Sequence, residues 1–411
     1  MPWLARIPER HVHLAHTASA IADPLSRLRF LRATVPCATM APWRARRGRR
    51  IAALLLPVPF LPLLLMRLPR TEPPPPPAPH RHVASPAETA QPVSVWQVEA
   101  DGNSEVYSNG LRIDTRFTVA GPPRLYRVFA RNSGISQTAL HSQPAGIVFH
   151  TSESCQAPFA EDQTPVLVRL GEDLLQFVRR NHSYHYLIDR FGRVYRVVAE
   201  SDVAYHAGHS VWADSDWLYL DLNRSFLGVS FEAQTTPGQR GGLASPAQLR
   251  TAAMLTEMLR SRYRIPAENC VTHAQVSVNP SNMLIGYHTD WAAGFPFAAL
   301  GLPDNYQRAL PALWAFGFSY EPVWFQSGSP LTAGIERAET EILRGAAAAS
   351  MRPETYRKFL QKRYRERLAE SRITPAGSPP DDIHALASPA APVPPSPAIH
   401  KKMRPRALAE K

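Results

Sequence analysis

The sequence predicts an α/β domain over residues 144–300, and three observations predict it. Short apolar runs alternate with stretches of helical periodicity, as in folds that layer helices on a sheet. Histidines stand where two of those runs end. The segments on either side are proline-rich or lack this alternation, so they lie outside the domain.

The elements follow in order. Gly146-Ile147-Val148-Phe149 reads as a buried strand that leaves His150 at its C-terminal end, where α/β domains present functional side chains. Pro165 to Asn181 reads as a helix, with Val166, Leu170, Leu174 and Val178 at helical spacing. Tyr184 to Ile188 then forms a strand, turns at Asp189-Arg190-Phe191-Gly192 and returns through Val194 to Val198 as a hairpin. Phe226 to Phe231 is a further strand, followed by a loop containing Gly238, Gly241 and Gly242. The next helix is marked by Ser245 as cap, Pro246 at the first position and Gln248 closing a capping box. Leu249, Ala252, Leu255, Leu259 and Tyr263 form its apolar face. Cys270-Val271-Thr272 reads as a short strand delivering His273.

The flanks are organised differently. Arg44, Arg46, Arg47, Arg49 and Arg50 precede the uncharged apolar run Ile51–Met66, the order of an export signal or a membrane anchor. An uncleaved anchor within residues 1–70 is the favoured expectation, although Pro57, Pro59 and Pro62 interrupt the run and a buried hairpin or loop is the plainer alternative. Met40, directly before the basic run, is an alternative start to Met1. Residues 71–92 read as a stiff proline-rich linker. Residues 93–143 read as a small β-rich extension built from Val95–Val98, Leu111–Val119 and Leu125–Ala130. Residues 301–373 read as a helical extension, with helices over Tyr306–Phe316, Ala333–Ala349 and Pro353–Glu370. The last carries Tyr356, Leu360, Tyr364 and Leu368 on one face among many arginines and lysines. Such a helix either packs on the domain with a solvated basic face or binds an anionic lipid or wall polymer. Residues 374–411 read as a disordered tail.

Composition narrows the chemistry. Proline makes up 41 of 411 residues, about twice the usual share, so the folded part is shorter than the chain. Three cysteines, none in a Cys-x-x-Cys pair, exclude a thiolate zinc site and a disulfide framework but leave open one bridge between Cys155 and Cys270. The net charge of +12 favours acidic partners, yet no nucleic-acid-binding motif accompanies it, and nucleic acid is not expected as a partner. The stretch Val271–Trp291 supplies His273 and Asp290, and His150 is the natural third member of the set. Three ligands of N and O type, with a fourth position left to water, are what a catalytic zinc site requires.

Several ordered motifs carry a family resemblance. Gly146 to His150, Tyr184 to Gly192, His206-Ala207-Gly208, Leu227 to Phe231 and His273 to Asp290 together resemble the zinc-dependent N-acetylmuramoyl-L-alanine amidases. That family includes phage lysozymes of the amidase type, bacterial muropeptide amidases and animal peptidoglycan recognition proteins. The resemblance covers about residues 144–296. It implies a mixed central sheet flanked by helices, with one Zn2+ at the end of a groove held by His150, His273 and Asp290, and peptidoglycan as the partner. The activity it implies is hydrolysis of the amide between N-acetylmuramic acid and L-alanine, and the basic and apolar runs of residues 44–66 place that activity in the cell envelope as an expectation.

This sequence departs from the family in two places. Asp290 follows His273 by 17 residues, a longer spacing than the family's, so an insertion has to loop out and His288 competes for the third ligand position. His288 also stands two residues before Asp290, where the family commonly has a lysine, and this favours Asp290 as ligand and His288 as a catalytic group. Ser230 occupies the place of the catalytic glutamate of the muropeptide amidases, whereas Tyr184 matches the tyrosine of phage-type members. Tyr184 and His288 are therefore the expected catalytic pair. His206 is expected to line the groove, either as a structural residue or as a substrate contact, and His185 to be structural. Glu232, two residues beyond Ser230, is the alternative base. The competing functional readings are an amidase of small soluble muropeptides and a binding module without turnover.

Overall fold

The computed structural model describes residues 94–132, 137, 139–235, 243–321 and 330–372. The expected anchor at 51–66, the proline linker, the glycine-containing loop and the C-terminal tail lie outside the described residues.

The chain runs β1 (Gln97–Ala100), β2 (Ser104–Tyr107), β3 (Arg112–Asp114), β4 (Phe129–Ala130), β5 (Gly146–Thr151), α1 (Thr164–Arg180), β6 (Tyr186–Ile188), β7 (Val194–Arg196), β8 (Val211–Ala213) and β9 (Trp217–Leu220). It continues through α2 (Leu222–Ser225), β10 (Phe226–Phe231), α3 (Pro246–Tyr263), β11 (Cys270–Thr272), α4 (His273–Val276), β12 (Val278–Asn279), β13 (Leu284–Ile285), α5 (Pro311–Trp314), α6 (Leu331–Ala348) and α7 (Pro353–Ser371). Eight strands form one sheet in the order β1-β2-β3-β7-β6-β10-β5-β11. The sheet is mixed: β6, β10, β5 and β11 run parallel, whereas β6 pairs antiparallel with β7.

The centre of the sheet is set by β5 and β10, whose residues are all buried, as continuous apolar strands covered on both faces should be. Gly146 permits the closeness of these strands, because a Cβ there would meet the Phe226 ring and the Asn269 carbonyl within 2.5 Å. Helix α3 bears out its sequence reading in detail. Ser245 accepts from Gln248 N, the capping box is closed, and Ala252, Leu255 and Leu259 are buried.

Two expectations are corrected and one open alternative is closed. The N-terminal β extension is not a separate small unit packed on the domain. Its strands continue the central sheet, with β3 pairing in parallel with β7. The bridge left open between Cys155 and Cys270 is not formed, because Cys270 is a free, fully buried thiol inside β11. The helix expected over Tyr306–Phe316 is reduced to one turn at 305–307 and the four residues of α5. Pro311 starts the second, and Gly317, at φ 66°, follows its end. The other C-terminal helices agree with their sequence reading, and α7 buries Leu360 and Tyr364 in the main core. Its basic residues are partly used inside the chain: Arg357 pairs with Glu339 at 2.8 Å, and Arg363 donates to the Ala315 carbonyl. No helix among the described residues is long and apolar enough to cross a membrane.

Candidate metal centre and active site

Parallel pairing brings the histidines together. Strand β11 pairs with β5 so that Thr272 lies opposite Phe149. The residues that follow, His273 and His150, therefore emerge side by side at the carboxyl edge of the sheet, with ring centroids 4.5 Å apart. His273 opens α4, whose capping box is formed by Thr272 and Gln275. The insertion between His273 and Asp290 is the hairpin β12–β13, which returns the chain so that the Asp290 carboxylate lies between the two rings. Asp290 Oδ1 is 2.8 Å from His273 Nδ1, and Oδ2 is 3.2 Å from His150 Nδ1. All three residues are buried, and their ligand atoms lie within 4.8 Å of one another.

Hydrogen bonding decides which nitrogen of His150 is free. The Phe226 carbonyl can only accept, so His206 donates to it from Nε2 at 3.3 Å. His206 Nδ1 must then accept from His150 Nε2–H at 3.1 Å. His150 consequently turns an Nδ1 lone pair toward the Asp290 carboxylate, two acceptors facing each other at 3.2 Å. Such an arrangement is repulsive unless a cation joins them, and His273 Nε2 adds a further buried atom without a partner. Burial, followed by the neighbouring His273, pushes the His150 imidazole down to about 4, and burial also holds His206 well below its ordinary value. Burial works against ionisation of Asp290 as well, but the adjoining His273 outweighs it and keeps the carboxyl below the usual range. Two imidazoles and one carboxylate, with no thiolate, fit a divalent ion of zinc's type.

Around this cluster the expected catalytic residues take distinct positions. Tyr184 adopts a left-handed backbone at φ 63°, uncommon for a bulky residue, and its ring centroid lies 5.1 Å from that of His150. Burial and the Asp290 charge raise its phenol, so it remains a donor at neutral pH. His288 is exposed, stacks on His273 at 4.5 Å and 21°, and donates its backbone N–H to Ser277 Oγ at 3.1 Å. Ser230 pairs with His150 in register across β10 and β5, and its buried hydroxyl lies beside the Tyr184 phenol. Glu232 is not brought to the cluster. Its carboxylate accepts from Arg190 N at 3.1 Å and lies against Gly171, and burial raises its pKa. His206 is 8 % exposed, and Gly228 makes room for its ring, since a Cβ there would stand 2.5 Å away. His185 accepts from Gly228 N–H and is fully buried, a structural residue. Sequence reasoning did not find the link from His206 to His150, because 56 residues separate them and no local pattern connects them.

The segment that carries this cluster has known relatives. Residues 140–290 match the family described as N-acetylmuramoyl-L-alanine amidase, so the resemblance read from the sequence is borne out over that segment. A curated relative, the N-acetylmuramoyl-L-alanine amidase AmiD of Escherichia coli, is 26% identical over 147 residues, 32% of this chain and 52% of that protein. The chain thus spans about half the length of the curated relative it matches. Among solved structures, AmiD from E. coli with the substrate anhydro-N-acetylmuramic acid-L-Ala-D-gamma-Glu-L-Lys is 21% identical with a TM-score of 0.29, covering 49% of this chain and 65% of that one. Drosophila peptidoglycan recognition protein LB is 14% identical with a TM-score of 0.28, covering 46% of this chain and 95% of that one.

Proposed function

We propose that this protein is a zinc-dependent amidase that hydrolyses the bond between the lactoyl group of N-acetylmuramic acid and the L-alanine of the peptidoglycan stem peptide. The observation that carries this reading is the buried convergence of His150, His273 and Asp290, with acceptors facing one another, inside the segment that matches the amidase family. A zinc ion held there would polarise the amide carbonyl and lower the pKa of its water toward about 7. Tyr184, kept protonated beside the cluster, donates its O–H to the oxyanion that develops on the carbonyl. His288, exposed next to His273, exchanges a proton with the leaving amine, a role that an imidazole can fill because its ring nitrogens both donate and accept. His206 holds the His150 ring through Nε2, the outer hydrogen bond that metal-binding histidines commonly make.

The test is incubation of the purified protein with peptidoglycan, identification of new L-alanine amino termini, and elemental analysis. We expect about one zinc per chain, a number that follows from one three-ligand site, and its loss in His150→Ala. Full zinc with binding of peptidoglycan but no new amino termini would establish a binding module instead. Cleavage confined to soluble muropeptides would establish the fragment amidase. If Asp290→Ala keeps its zinc while His288→Ala loses it, His288 is the third ligand.

The reading extends to location. The basic cluster at Arg44–Arg50 followed by the apolar run Ile51–Met66 supports an envelope protein anchored with its catalytic domain outside the cytoplasm. Fractionation should leave the full-length protein with the membrane, and recovery from the soluble cytoplasm would overturn this placement.

A further inference from the structure

A second cavity lies apart from the metal cluster and shares no residue with it. It has a volume of about 370 Å³ and is lined by Arg131, Arg308, Arg337, Arg344, Glu341 and Trp314, among others. These six lie outside the 140–290 segment that matches the amidase family, and Ala213 of β8 is the lining residue that comes from within it, so the charged side chains of the cavity are added to that domain by its flanks. Four parts of the fold converge on it: the turn after β4, the end of β8, α5 with the segment leading into it, and one face of α6. On α6, Arg337, Glu341 and Arg344 are spaced by four and three residues and share that face.

Two of the guanidiniums are held in place from behind. Arg131 donates from Nη1 to the Asp214 carbonyl at 2.7 Å and lies over the Trp314 ring at 4.8 Å. Arg308 pairs with Glu268 at 2.5 Å. Within the cavity four arginines face one carboxylate, Glu341, and Glu268 neutralises one more, which leaves a surplus of two positive charges. Every cation is an arginine, whose planar fork matches the oxygens of an oxyanion, and none is a lysine. A carboxylate offers two oxygens and one charge, whereas a phosphate monoester offers three terminal oxygens and about −1.5 to −2 charges near neutral pH. The charge surplus and the number of forks both suit the monoester.

We propose that this cavity binds a phosphate monoester, held by Arg131, Arg308, Arg337 and Arg344. Such a group can come from a phosphorylated sugar or from the headgroup of a lipid, and two arms of one experiment separate them. Full-length protein is titrated with glucose 1-phosphate in a calorimeter, and it is sedimented with vesicles with and without phosphatidic acid, both in about 150 mM salt so that diffuse attraction is screened. Saturable binding is expected in at least one arm. It should weaken roughly tenfold or more in Arg131→Gln/Arg337→Gln, since charge-assisted bonds are the strong ones. It should stay unchanged in Arg169→Gln/Arg179→Gln, which removes the same charge from the surface of α1. The single variant Arg337→Gln, at an exposed side chain, should show part of the loss without disturbing the fold. Equal weakening in the two double variants would reduce the effect to net charge and overturn the site. Absence of saturable binding in both arms would overturn it as well.

Discussion

Tyr184 is held in a backbone region that costs a bulky residue about 1–3 kcal/mol, and the cost places its ring beside His150. The phenylalanine variant keeps the ring, the burial and the backbone demand, and removes only the hydroxyl. Tyr184→Phe should therefore retain zinc and fold while kcat falls by about two to three orders of magnitude with little change in KM, the loss expected of a single oxyanion donor. Wild-type kcat in this variant would remove Tyr184 from the mechanism. Glu232 would then come forward, although it is turned toward Arg190 and Gly171 in the folded chain. The clustered histidines His150 and His273 were legible because each follows a recognisable apolar run. His206 was placed at the groove, but its bond to His150 was not legible, since that partner is fixed by the crossing of β10 past the loop that carries His206 rather than by any local spacing.

At the scale of elements, legibility followed the strength of the local signal. Helix α3 has a cap, a proline at its first turn and an apolar face that all agree, and β10 and β11 are uninterrupted apolar runs, so their limits were read to the residue. Strands β8 and β9 were missed. Each is three or four residues long, and they are joined at Asp214, whose side chain accepts from Asp216 N and Trp217 N and so closes the turn itself. Strand β2 was missed for another reason: Ser104-Glu105-Val106-Tyr107 is largely polar, and its identity as a strand comes from pairing with β1 and β3 rather than from propensity. The hairpin β12–β13 follows from the long ligand spacing as a loop, but its pairing does not. Part of its support comes from Ser319, whose N–H donates to the Met283 carbonyl and whose carbonyl accepts from Ile285 N. That partner lies in the C-terminal extension, outside any window in which the hairpin could be read.

At the scale of the whole molecule, the family match ends at 290 but the core does not. One contiguous cluster runs from Tyr107 and Leu111 through the sheet to Phe316, Phe318, Leu360 and Tyr364. Asn305 joins the two parts at the most sensitive place. It is 1 % exposed, its Nδ2 donates to the Ala267 and Cys270 carbonyls, both at 2.8 Å, and its own carbonyl accepts from Gln275 Nε2 at 2.8 Å. Cys270 begins the strand that delivers His273, and Gln275 completes the cap of the turn on which His273 sits. Asn305→Ala would remove the side-chain donor from the Cys270 carbonyl and one of two donors from the Ala267 carbonyl, which keeps the Cys270 N–H; a buried acceptor that loses its partner costs about 1–3 kcal/mol, out of a total that for folded proteins is commonly only about 5–15 kcal/mol. The described chain should unfold in one cooperative calorimetric transition, and Asn305→Ala should lower its midpoint by several degrees while keeping it single. Because the lost bonds lie under His273, zinc should also be released at a lower chelator concentration than from the wild type. Two resolved transitions in the wild-type protein, with Asn305→Ala shifting only the lower, would show the extension to be an independent unit and would confine the metal site to the amidase segment.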